Sequence, residues 1–219
     1  VDTRSYDYDN FLTTAWQAGN YLTHLGVREG VAVGIADDPI PEALLATLGT
    51  GLLAATAWID PPDDADLRAV VAPTGDIGAH DAGAGLQRVA YGGGTDDPAI
   101  ERFEEGVWSE NPTMPPERPD PGTPVLTDGN RRFSQRELLE AAGNLADTDP
   151  GGVETNGIKT GVAVVLRTPL SDPRAVVGVF ATLLAGATVV FPENEEVVGD
   201  VTIGAGPEPA VIDPDRIDL

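Results

Sequence analysis

Few side chains in this sequence are suited to chemistry. There is no Cys, so no thiolate nucleophile, thiolate metal site or disulfide can be built. His24 and His80 are the two histidines. Neither has a neighbouring constellation of the kind that acid–base, Ser/His/Asp or metal chemistry requires. His24 sits just ahead of Gly26, where an imidazolium would complement a helix C-terminus. His80 lies in a Gly/Ala/Asp stretch and reads as solvent-exposed. Gly92-Gly93-Gly94-Thr95 follows an expected strand and precedes an expected helix, a position that can cradle phosphate, but Asp96 and Asp97 come next and would repel it. The pairs Asp37-Asp38, Asp63-Asp64 and Asp96-Asp97 have the oxygens for a divalent cation; in so acidic a chain they read as solvated surface. The most distinctive charges are Arg131 and Arg132, which follow the Gly129-Asn130 turn. Two guanidinium groups there could hold a carboxylate or phosphate, or pair with neighbouring acids.

Composition narrows the classes further. The net charge is -23, from 36 acids and 13 bases, and Lys159 is the single Lys. With 41% hydrophobic residues the chain is rich enough to fold, so the acids form a skin. Such a skin keeps a protein soluble in concentrated salt at the cost of self-repulsion in dilute salt, and we read a halophilic, acidic protein. A phosphate backbone needs a basic face, and the cluster Arg131, Arg132 and Arg136 is too small to supply one. Nucleic acid and membranes are not expected partners. The longest apolar run, Val176 to Phe191, is too short to span a bilayer, and the N-terminus has no signal-like segment. The expected localisation is cytoplasmic.

The elements that would position these groups occur twice. Residues 26–61 align without a gap on 157–192, with nine of 36 positions identical. Gly26 to Val33 lies over Gly157 to Val164, Leu52-Leu53-Ala54 over Leu183-Leu184-Ala185, and Pro61 over Pro192. Val70 over Val201 and Gly75 over Gly206 keep the same shift. A repeat of this length is a supersecondary unit. Before each copy sits a helix expected to end in Ala-Gly-Asn, at Ala18-Gly19-Asn20 and Ala142-Gly143-Asn144. Phe11, Leu12, Ala15, Trp16, Gly19 and Leu22 form the apolar stripe of the first; Ser134 and Glu137 form a capping box for the second. A strand without alternation follows, at 31–36 or 162–166, of the kind buried on both faces. Then come a helix opened by Pro41 or by Asp172-Pro173 and ending near Ala54 or Ala185, and strands at 56–59 or 188–191 and at 69–72 or 201–203. The first copy adds a strand at 87–91 and a helix at 98–108. Six prolines between Ser109 and Pro124 deny helix and central strand alike. The expected organisation is a first α/β subdomain at 1–110, a Pro-rich linker at 111–124 and a second α/β subdomain at 125–219. The fold class is α/β, with two related parallel sheets flanked by helices. Such sheets need cover on both faces, so the halves are expected to pack on each other or on a partner, with Trp16, Trp58 and Trp108 as candidate filling.

Phe133-Ser134-Gln135-Arg136-Glu137-Leu138 resembles the "threonine, tyrosine, any, any, glutamate, leucine" helix start of the adenylate-forming (AMP-binding) acyl-CoA synthetase superfamily. Gly157 to Val164 is similar to its "glycine, valine, any, any, glycine, aspartate, any, valine" turn and strand, and Leu184-Ala185-Gly186-Ala187 to its "alanine, glycine, alanine" entry to the next strand. The first half keeps the scheme with Pro41-Glu42-Ala43 and Trp58-Ile59-Asp60-Pro61. The chain thus resembles a shortened N-terminal domain of these AMP-forming ligases. The second half fits either a repeat of the family's opening subdomain or its second subdomain; we favour the latter. On that placing the resemblance puts Thr127, Gly129, Asn130, Arg131 and Arg132 at the phosphate-binding loop, and Asp172 where the family has a histidine. The loop's second Gly and its Pro-Lys-Gly are missing, and Asp128 brings a carboxylate to phosphate. The sequence ends ahead of the family's adenine- and Mg-binding segments and of its catalytic Lys; Lys159 falls in a surface turn. The expectation is a degenerate synthetase-like protein without catalytic residues or a firm cofactor, acting as a regulatory or partner subunit of a full-length ligase or as a homo-oligomer. The alternatives are a binder of nucleotide (ATP or AMP), acyl group or CoA through residues 127–132, and a residual ligase that needs a separate C-terminal partner.

Overall fold

In the computed structural model, residues 5–80, 85–147 and 158–219 are described, and Gly157 of the repeat falls outside them. The chain divides into two compact units. Residues 5–36 and 41–132 make the first; residues 37–40 and 133–219 make the second.

The first unit begins with α1 (Tyr8–His24), whose N-cap Asp7 accepts the Asn10 N–H at 2.8 Å. It continues through β1 (Ala32–Ile35), α2 (Pro41–Leu52), β2 (Thr56–Ile59), β3 (Ala69–Pro73), β4 (Gln87–Tyr91), β5 (Ile100–Arg102), α3 (Phe103–Ser109) and β6 (Pro124–Thr127). The strand β7 (Arg132–Ser134) leads into the second unit, with α4 (Gln135–Asp147), β8 (Ala163–Leu166), α5 (Pro173–Leu184), β9 (Thr188–Val190), β10 (Val201–Ile203) and β11 (Ala210–Ile212). The larger sheet has the order β5-β4-β3-β1-β2-β6-β7 and the smaller one β11-β10-β8-β9. The pairings β1:β2, β1:β3, β3:β4, β8:β9, β8:β10 and β10:β11 are all parallel. Central strands carry the apolar runs: Val33, Ile35, Val70, Val71, Val164, Val165 and Ile203 are at most 1% exposed, as sheets covered on both faces require.

Four strands with one topology therefore recur, β4-β3-β1-β2 in the first unit and β11-β10-β8-β9 in the second. The match is not gapless. Gly30 and Gly161, 131 apart, have φ of 83° and 82°. Beyond β1 and β8 the spacing becomes 132. Pro41 and Pro173 open α2 and α5. Ala54 and Gly186 share a positive φ, of 56° and 69°. Thr56 and Thr188 donate their N–H to the equivalent carbonyls of Val31 and Val162, each at 2.9 Å. One residue is inserted in the second copy's connection between strand and helix. Connecting loops absorb such an insertion cheaply, and small-residue identities on either side of it masked the step.

Two further expectations are corrected, and one strand was not expected. The Pro-rich segment 111–124 does not divide the units. It lies along α1, where Asn20 Nδ2 donates to the carbonyls of Asn111 (3.2 Å) and Thr113 (2.7 Å), and Pro115 is buried. Prolines cannot join a ladder, but their chain can lie extended across a helix that supplies side-chain donors. The unit boundary falls at 132/133 because β6 adds to β2, with Ala57 opposite Leu126 and Trp58 opposite Thr127. The helix expected at 98–108 is instead β5 followed by the seven-residue α3. The strand β11 had no signal of its own: three residues between Pro-rich turns are too few for a periodicity.

Candidate functional site

The residues singled out at 127–132 are brought together as the end of β6, a tight turn and the start of β7. Thr127 is 9% exposed. Its hydroxyl donates to the Arg131 carbonyl at 2.8 Å and accepts the Gly129 N–H at 3.1 Å. Asp128 turns its carboxylate back over the same loop. Oδ1 accepts the N–H of Asn130 at 2.8 Å and of Arg131 at 2.7 Å, an Asx-type closure that short acidic side chains favour. Gly129 has φ of 87°, and a Cβ there would come within 3.0 Å of the Trp58 ring, so the position requires Gly on two counts. The backbone donors of residues 129, 130 and 131 thus all point at side chains of their own turn. Asn130, Arg131 and Arg132 lie exposed around it.

Other sequence candidates resolve differently. The Gly92–Thr95 segment leads into β5, so it has no helix N-terminus to offer; Gly92 N–H donates to Glu104 at 2.7 Å and Asp97 pairs with Arg88 at 3.2 Å. His24 ends α1 as expected and faces Glu110 at 3.2 Å. His80 is half-buried rather than exposed. Lys159 is exposed. Asp37, taken for solvated surface, belongs to the second unit: it accepts the Leu170 N–H at 2.7 Å and the Ser171 hydroxyl. Asp172 caps α5, accepting from the Arg174 N–H at 3.0 Å. Among the described residues no group of three or more His, Cys, Asp or Glu could hold a metal ion. No described helix is long and apolar enough to cross a membrane.

Sequence reasoning missed Arg167 and Glu208. In the second sheet the chain goes from β8 to β9 on one side, then to β10 on the other. This reversal marks the crevice at the carboxyl ends of β8 and β10, where open α/β sheets bind ligands. Arg167 directly follows β8 and Glu208 lies after β10. The guanidinium grips the carboxylate through Nε at 3.1 Å and an Nη at 2.7 Å, and the same Nη reaches the Val197 carbonyl at 2.6 Å. The Glu208 side chain is fully buried. Burial pushes its carboxyl up, but the Arg167 hydrogen bonds, backbone N–H donors and the Arg167 charge outweigh that and hold it below the ordinary range. Chiefly through the Glu208 hydrogen bond, Arg167 is raised in turn. At the equivalent place in the first unit, Ala36, at the Arg167 position, packs against a buried apolar cluster of Val70, Ala72, Ile77 and Ala90. The only sequence signal was an Arg directly after a buried strand in a chain with few bases.

No family model and no curated protein matches the sequence. Solved structures do. An anthranilate CoA ligase in complex with anthranoyl-AMP superposes with a TM-score of 0.71 at 18% identity over 90% of this chain and 42% of that one. A benzoate CoA ligase from Burkholderia xenovorans LB400 gives 0.73 at 17% identity, over 92% of this chain and 45% of that one. The N-terminal domain of FACL13 from Mycobacterium tuberculosis gives 0.63 at 16% identity, over 82% and 48%. This chain has the α/β fold of the N-terminal domain of such ligases, and it spans less than half the length of each of these structures. At these identities the likeness concerns fold alone.

Proposed function

We propose that this chain is a synthetase-like protein that does not itself adenylate, and that it works as a regulatory or partner subunit of a ligase of the same fold. One observation carries the reading. A phosphate loop needs backbone amides free to wrap an anion, whereas the N–H groups of Gly129, Asn130 and Arg131 are given to Thr127 and Asp128. The Asp128 carboxylate already accepts two of these N–H groups and adds a negative charge beside them, so the residues present do not fit the phosphates of ATP. Titration with Mg·ATP and with AMP in molar KCl, followed by calorimetry and thermal unfolding, tests this. A ligand at ~100 times its dissociation constant adds about 2.7 kcal/mol, or several degrees for a chain of this size. No heat and no shift, together with co-purification of a full-length ligase, is the expected result. A saturable ATP shift or exchange of pyrophosphate into ATP would refute it.

Arg131 and Arg132 support a second reading, a weak binder of an anionic acyl, CoA or nucleotide ligand. Two exposed guanidinium groups beside a turn can grip phosphate through side chains alone. Replacing both by Ala would abolish such binding, and unchanged affinity would remove this alternative. A residual ligase that borrows its missing segments from a separate C-terminal partner would instead show pyrophosphate exchange once that partner is added.

A further inference from the structure

The repeat allows one strand edge to be read against another. In the first unit the chain of β2 alternates its backbone groups. Thr56 N–H bonds inward to Val31, so Ala57 presents its N–H and carbonyl to the other side. There β6 lies parallel, with Leu126 opposite Ala57. The second unit repeats this geometry 132 residues on. Thr188 N–H bonds inward to Val162, and Val189, the counterpart of Ala57, presents its N–H and carbonyl away from β8. Among the described residues β9 is the end of its sheet. Thr188 is exposed, and Val189 and Val190 are half-exposed.

The charges beside the two edges also match. Past β2 the chain carries Asp60, Asp63 and Asp64; past β6, running in the same direction, it carries Arg131 and Arg132. Past β9 it carries Glu193, Glu195 and Glu196, all exposed. We propose that the β9 edge is a docking site for a partner polypeptide that adds a parallel strand: an extended, branched-apolar segment of the β6 type, with arginine or lysine within the next few residues. Strand addition draws its affinity from main-chain bonds and its selectivity from the flanking side chains, and an open edge is a ready template for it. Here the Val189 backbone supplies the bonds and the three glutamates select a basic follower. This extends the partner-subunit reading, yet its test is separate: ATP titration decides that reading and peptide titration decides this one.

The probe is a labelled peptide with the sequence of residues 122–132, compared with the same peptide carrying Glu in place of both Arg. Titration of the full chain is run at the lowest KCl that keeps it folded by circular dichroism. The expected result is saturable binding, about tenfold tighter for the Arg peptide, weakening as KCl rises. Val189→Pro removes an outward N–H and no inward bond, which edge strands tolerate; it should unfold near the parent temperature and lose the peptide. Should that variant fail to fold, amide exchange of residues 186–192 in the parent chain provides the readout, slowing when the Arg peptide is added. Absence of saturable binding, equal affinity for the two peptides, or binding unaffected by Val189→Pro overturns the proposal. Self-association that protects residues 186–192 without peptide also overturns it, in favour of a second copy at the edge.

Discussion

Asp128 Oδ1 accepts the backbone N–H of Arg131 at 2.7 Å, so the turn between β6 and β7 is closed by a carboxylate of its own. Charge-assisted bonds of this kind are stronger than neutral ones, and Oδ1 makes a second to Asn130. Asp128→Gly should free both amides and remove the repulsion. The expected outcome is a small loss of stability, about 1 kcal/mol for an exposed turn, and a gain in affinity for inorganic pyrophosphate measured by calorimetry. If the variant binds no anion better than the parent, Asp128 is not what closes the loop.

Tyr21 is 6% exposed, packs edge-on against Phe103, and its hydroxyl has no hydrogen-bond partner among the described residues. Burial, with the Glu101 charge, pushes its ionisation well above the ordinary tyrosine range. An unpaired buried hydroxyl costs about 1–3 kcal/mol, so Tyr21→Phe should stabilise the chain by about 1 kcal/mol, or 2–4 °C in Tm. The sign with pH follows. The folded state holds this proton more tightly than the unfolded state, so stability is fully present below about pH 10 and falls as pH rises above it. Tyr21→Phe should remove that part of the alkaline decline; an identical alkaline slope in both proteins would refute the assignment.

Glu208 behaves in the opposite sense. Its folded carboxyl titrates below the unfolded value of about 4.3. The ion pair therefore stabilises the chain above that pH and is lost as pH falls through the folded value. Glu208→Gln leaves the part-buried Arg167 guanidinium, 11% exposed, opposite a neutral amide and should lower Tm at pH 7 clearly, because removing one partner of a largely buried pair strands the other charge. The variant's acid-unfolding curve should be flatter as pH falls below about 4.3. Equal Tm at pH 7 would mean that Val197 and solvent satisfy Arg167 without it.

The sequence made the repeating framework legible because buried parallel strands and Pro- or Asp-Pro-opened helices leave strong local signatures, as at Val31 to Ala36 and Asp172-Pro173. What it concealed is pairing at a distance. Nothing local tells that Pro124–Thr127 adds to β2, or that Glu208 returns to Arg167, 41 residues away. The turn at 127–132 was legible as a place but not as a state, since its closure depends on which way the Asp128 side chain points. The inserted residue between β8 and α5 escaped because Ala, Val, Gly and Leu recur often enough to align at either spacing.

That inserted residue makes Ala54 and Gly186 counterparts, and they give the last prediction. Both follow a helix and carry a positive φ, 56° and 69°. A left-handed backbone costs a residue with a Cβ about 1 kcal/mol relative to Gly. At 186 the surroundings offer no obstacle, since a Cβ would meet Thr160 at an ordinary 3.5 Å. Gly186→Ala should therefore cost about 1 kcal/mol and no more, because the fold already accepts Ala at 54. The reverse change, Ala54→Gly, relieves the same strain but gives up a methyl that is 8% exposed, worth about 0.8 kcal/mol, and it frees the unfolded chain. It should come out near neutral. Chemical denaturation of the two single variants tests the correspondence. A loss above about 3 kcal/mol for Gly186→Ala would mean that position 186 does not tolerate what its counterpart carries, and that the two copies differ here in packing as well as in sequence.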